Sequence, residues 1–252
     1  MSHDHFDGKS AHDHLIEARS KGAKAMHEHH GTEVTGSVSS ALDTAKELTF
    51  VLTALYLLLD LFNFHSPQIR MFIYLFSFGY LFWKGGRSAL LGWMRLERVH
   101  RLIEEEQHEI KSNRDQEKEE LTELYQAKGF TGKLLDQVID VLMADDNRLL
   151  EVMLQEELGL TLESYEHPLK QSFGALIGFL SAFVLLTLGE VFAGFYGIFL
   201  SGIIVMCATG YLNAKLQNND TTRSIVWNVA TFLLSLGIGY FFSKIVLVWF
   251  LA

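Results

Sequence analysis

The feature that most limits how this chain can fold is the alternation of long apolar segments with one acidic, helix-patterned block. Apolar residues gather in 48–64, 71–83, 173–188, 191–211 and 225–242, whereas 95–170 holds 19 of the 30 acidic residues. A helix crossing a bilayer needs roughly 17–25 mostly apolar residues, and the last three segments reach or approach that length. Segment 48–64 stands at the short limit. Segment 71–83 suffices only if its helix runs on through 88–93, which brings Lys84 and Arg87 near one end, where long basic side chains reach the headgroups. The expected architecture is therefore all-α, with five transmembrane helices and a helical domain between the second and third. The expected divisions are an arm over 1–43, two spans within 44–94, the domain over 95–168 and three spans within 169–252.

Basic residues near the span ends set the expected orientation. The arm carries Lys9, Arg19, Lys21, Lys24 and Lys46, the acidic block has ten Lys or Arg, and the loop 213–224 has Lys215 and Arg223. The opposite side offers Arg70 and, past the last span, Lys244. Arm, block and last loop are expected in the cytosol. The first 40 residues have no apolar stretch of the kind a signal peptide needs. One cysteine, Cys207, excludes an internal disulfide and a cysteine-based zinc site. The net charge of −9 argues against a nucleic-acid partner.

The arm reads as disordered over 1–40 for lack of apolar periodicity. It carries His-Asp-His at 3–5 and 12–14 and His-Glu-His-His at 27–30. Imidazoles interleaved with carboxylates suit divalent transition metals, while a solvated tail explains them equally well. Within the block, 95–111 continues the second span, and Ser112, Asn113, Arg114 and Asp115 read as a stop and restart. A second helix is expected to end at Gly129, a third to open at Thr131 and a fourth to begin near Asp145 and break at Gly159.

Six residues of the block fall at ligand spacings. Glu106 and Glu109 are three apart, as are Glu117 and Glu120, so each pair shares a helix face and can offer two carboxylates to one ion. Met153 and Glu157, four apart, add a thioether and a carboxylate. On one unbroken helix Glu106 and Glu117 would lie ~16 Å apart; a turn near Asn113 lets the two pairs approach. Crowded carboxylates raise one another's pKa, so protons should compete with metal. The alternative from spacing alone is an acidic amphipathic bundle with solvated glutamates and a core methionine.

Further residues sharpen the choice. The run Glu97-Arg98, Glu104-Glu105-Glu106, Glu117-Lys118-Glu119-Glu120-Leu121, Leu124-Tyr125, Gly129-Phe130, Met143-Ala144-Asp145 and Glu156-Glu157-Leu158-Gly159-Leu160 resembles the vacuolar iron transporter family. The resemblance is specific over 95–170 and weaker over 168–181 and 219–243. It implies five spans, a cytosolic helical domain between the second and third, and a homodimer moving Fe²⁺, or a related ion such as Mn²⁺ or Zn²⁺, out of the cytosol in exchange for protons. It also implies that Glu106, Glu109, Glu117, Glu120, Met153 and Glu157 hold the metal. The lipid bilayer and the metal ion are the expected partners.

The membrane segments depart from the family pattern. The first lacks the family's Asp-Gly pair, and the second-span ligand positions fall on Phe76 and Lys84, the latter a cation where the path should attract one. The Gly-Pro-rich feature of the third span is replaced by 186–190. Asp60, Met71, Glu190 and Met206 are alternative conduction groups, and Asp60 also lies near enough to a span end to meet water. Retention of metal without transport, as a membrane-anchored buffer or sensor, is the competing expectation. Enzymatic function is not expected. Two Glu-x-x-His matches, at Glu97/His100 and Glu105/His108, share one helix, whereas a di-iron site draws them from two. No phosphate-binding loop motif follows the glycine pairs, so uphill transport would draw on an ion gradient.

Overall fold

The computed structural model describes residues 35–160 and 166–251, which form seven α-helices and no strand. These are α1 (Gly36–Leu61), α2 (Ser66–Ser112), α3 (Arg114–Ala127), α4 (Gly132–Met143), α5 (Asp146–Glu156), α6 (Pro168–Leu216) and α7 (Thr221–Leu251). The all-α expectation is met. The described residues divide into two compact units, one over 93–160 and one combining 35–92 with 166–251. The histidine motifs of the arm lie outside the described residues.

The apolar unit is built from α1, the first part of α2, α6 and α7. Helices α6 and α7 are long and apolar enough to cross a membrane by length and composition. Pro168 opens α6, where its missing N–H and fixed φ cost nothing. Inside α6, Ala193 (φ −139°) and Gly194 (φ 57°) leave the helical region. On a straight helix residues 189 and 197 would be ~12 Å apart, yet a Cβ added to Gly197 would strike the carbonyl oxygen of Gly189. Helix α6 is therefore a tight hairpin of two antiparallel legs, turning at Gly194 where only glycine readily takes this backbone.

Close backbone approach fixes the neighbours of that hairpin. A Cβ at Gly174 or Gly178 would strike the carbonyls of Ser37 or Ala41, so α1 and the first leg run parallel in near contact. Ser172 Oγ donates to the Gly85 carbonyl at 2.8 Å and Ser88 Oγ to that of Gln171 at 3.2 Å, so α2 runs antiparallel to the same leg. Helix α7 returns along the second leg, with Gly210 against Ile225 and Gly202 against Phe232. The core contains Leu48, Leu52, Tyr56, Ile69, Ile73, Phe179, Leu186 and Ile198.

One boundary differs from expectation. Helix α1 begins at Gly36, inside the expected arm of 1–43. Its first turn is secured by a distant residue: Glu166 accepts hydrogen bonds from the Ser37 backbone N–H (2.6 Å) and Oγ (2.9 Å). Such a cap from another segment leaves no local sequence signal. Helix α2 is one uninterrupted helix of 47 residues, so the short segment 71–83 runs on past Trp93 into 95–111 as expected.

In the other unit the expected stops hold. Helix α2 ends at Ser112 and α3 restarts at Arg114, although the Asn113 side chain makes no cap bond. Gly129 (φ 93°) follows α3, Thr131 precedes α4, and Asp145 caps α5 by accepting from the Arg148 N–H at 2.9 Å. Ile110, Leu121, Leu124, Leu135, Ile139, Leu149 and Met153 join the four helical segments in one core, and Leu102, Leu154, Leu158 and Leu160 form a second.

Candidate metal centre

The acidic residues of this unit divide sharply by burial. Glu104, Glu105 and Glu119 are exposed, while Glu106, Glu117, Glu120 and Glu157 retain 3%, 1%, 0% and 2% of their surface. The periodicity explains which are which. Glu106 lies one turn from both Leu102 and Ile110, Glu117 and Glu120 each lie one turn before Leu121 and Leu124, and Glu157 one turn after Met153. These glutamates occupy core-facing positions of helices whose neighbouring turns are filled by buried apolar side chains. A solvated acidic face would leave them outside, so that account of the spacing fails for these four. Glu109 is half-buried. Met153 is fully buried among Leu149, Leu121 and Ile139 in the apolar cluster.

Carboxylates are almost never fully buried without a compensating partner. Burial pushes Glu117 up to about 9, and the charges of Glu106, Glu120 and Glu109 add to the shift. Burial, followed by Glu106, Glu120, Glu117 and Glu109, holds Glu157 well above the usual carboxylate range. All five expected carboxylates thus feel one another, drawn from α2, from α3 and from the residue just past α5. The break at Asn113 makes this convergence achievable. Among the described residues, however, no three His, Cys, Asp or Glu side chains already stand in a ligand cage. A divalent cation would offset the repulsion between ionised carboxylates gathered around it. Salt bridges brace the rim: Arg114 to Asp146 at 2.5 Å, and Lys128 to Glu156.

The apolar unit answers the question raised by Lys84. Its side chain is buried and ion-paired to Glu47 of α1, and the hydroxyl of Tyr80 donates to the same carboxylate at 3.3 Å. The lysine charge is therefore spent on a neighbouring helix. Phe76 is exposed on the outer face of α2, stacked on Tyr80. Of the alternative conduction groups, Asp60 and Met71 are exposed and Met206 packs with Phe232 and Leu236. Glu190 alone is a buried carboxylate, 5% exposed, with Arg70 Nε 3.4 Å from its Oε1. The pairings of Glu47 and Arg70 were beyond sequence reasoning, since each joins residues far apart in the chain.

The described residues are all helical, with two helices long and apolar enough to cross a bilayer, and one unit buries four glutamates, features that fit a membrane transporter. A family model described as the VIT family matches residues 94–244. The chain belongs to this family, the vacuolar iron transporters, a family of transporters rather than enzymes. The matched region begins after the first two apolar segments, both of which depart from the family pattern, and includes the third, which departs at 186–190. No curated protein matches the chain.

Proposed function

We propose that this chain carries divalent transition metal, Fe²⁺ and by similar chemistry Mn²⁺, out of the cytosol in exchange for protons. In this reading it is a five-span homodimer with its N-terminus and acidic unit in the cytosol. Glu106, Glu109, Glu117, Glu120, Met153 and Glu157 take up the ion, and the membrane helices pass it outward. The observation that carries the reading is the burial of Glu106, Glu117, Glu120 and Glu157 in one coupled set, within a chain of a transporter family. Hard carboxylate oxygens suit Fe²⁺ and Mn²⁺, and a thioether adds selectivity for softer ions. Raised carboxylate pKa values make protons compete with the ion at this site, which favours a proton-coupled cycle.

The second reading, a membrane-anchored metal buffer or sensor, draws on Lys84, which occupies an expected ligand position and is satisfied by Glu47. Metal uptake by proteoliposomes under an imposed pH gradient separates the two. Gradient-dependent uptake is expected, together with its loss in Glu109→Ala/Glu117→Ala. Uptake indifferent to the gradient rejects antiport. Calorimetric metal binding by the full chain with no uptake establishes the buffer.

A further inference from the structure

Among the described residues of the apolar unit, two charged side chains are buried, Lys84 at 7% and Glu190 at 5% exposure. Each is paired with an opposite charge on another helix, Glu47 of α1 and Arg70 of α2 respectively. Helix α2 thus supplies the cation of both pairs, from positions ~21 Å apart along its axis. Charges inside a membrane protein are costly, pair with one another and commonly mark ion pathways.

The Arg70–Glu190 pair has the features of a latch. It joins the second turn of α2 to the end of the first leg of α6, just before the hairpin turn at Gly194. The α6 side is stiff, because Gly189 and Gly197 hold the two legs in backbone contact. On the other side α2 follows α1 after a four-residue connection, in which Asn63 takes φ 60°. The pair itself is a single 3.4 Å contact, with Glu190 buried and the Arg70 side chain 40% exposed. Arg70 and Glu190 themselves line a small cavity, together with Leu52, Ile73, Leu186 and Ile198. The charged pair therefore faces a small void walled mostly by apolar side chains, with little room for water.

We propose that Arg70 and Glu190 form the outer gate of the transport path. In the closed state the Arg70 guanidinium neutralises Glu190 and holds α2 against the α6 hairpin. Opening parts the start of α2 from the α6 hairpin, and the departing cation takes the place of the guanidinium at Glu190. This assignment rests on the transport reading above, but its test is independent of transport. Full-length protein with Cys207→Ser and Ile198→Cys is reconstituted in vesicles and exposed to a membrane-impermeant maleimide on the side of residues 62–65. Labelling should be slow in this parent and about tenfold faster after Arg70→Gln or Glu190→Gln, corresponding to ~1.4 kcal/mol of lost closed-state bias. The charge swap Arg70→Glu/Glu190→Arg should restore slow labelling, and Lys84→Gln should leave it slow. Unchanged labelling in both single variants overturns the gate. Equal acceleration by Lys84→Gln also overturns it, because the effect is then general loosening. Parent vesicles that take up no Mn²⁺, while labelling still responds to the latch, reject the transport reading and retain the latch.

Discussion

Burying Glu117 deprives its charged form of water, and the fold answers by holding the proton. Its folded pKa of about 9 exceeds the ordinary 4.5, so between those values the folded state binds more protons than the unfolded chain. Stability from this group is fully present below pH 4.5 and is lost as pH rises through 9. Glu157 is shifted in the same direction. The metal-free protein should therefore lose thermal stability in the acidic unit between pH 6 and pH 9, followed by circular dichroism. Glu117→Gln should flatten that decline and weaken Mn²⁺ binding by about tenfold, or ~1.4 kcal/mol. With its pKa held up to about 9, Glu117 should carry a proton at pH 7 that metal binding there releases. Calorimetry in buffers of different ionisation enthalpy should show a buffer-dependent heat in the wild type, reduced in Glu117→Gln. An identical heat in every buffer would remove Glu117 from the metal centre.

At the scale of the element, α1 and the first leg of α6 depend on two glycines a turn apart. Valine at Gly178 would force its side chain into the Ala41 carbonyl; overpacking of this sort costs ~1–3 kcal/mol. Gly178→Val should lower the melting midpoint in detergent, while Gly79→Ala, whose Cβ meets open space, should leave it unchanged or higher. Equal midpoints for the two variants would refute the close α1–α6 contact. The helix stops at Gly129, Asp145 and Gly159 were legible in the sequence because they rest on local chemistry, and the break at Asn113 falls where expected without the side-chain cap. The start of α1 at Gly36 was not legible, since Glu166 secures it from 129 residues away. The spacing of Glu106, Glu109, Glu117 and Glu120 was equally plain, but spacing does not say which face of a helix is covered. Packing of α3, α4 and α5 decided that.

For the whole molecule, the distribution of Lys and Arg predicts that residues 65 and 218 lie on opposite sides of the membrane. Single cysteines placed at His65 and Asn218 in a Cys207→Ser background should react with an impermeant reagent from opposite faces of oriented vesicles. Reaction from the same face would overturn the five-span topology. By itself the sequence determined the helical class, the apolar segments, the acidic block and its family, because each is written in local composition and period. The tertiary structure decided which glutamates lose their water, where the Lys84 charge is spent, and that Arg70 meets Glu190. Those facts depend on contacts between residues tens of positions apart, and electrostatics in a poorly hydrated interior is set by such neighbours rather than by the order of the chain.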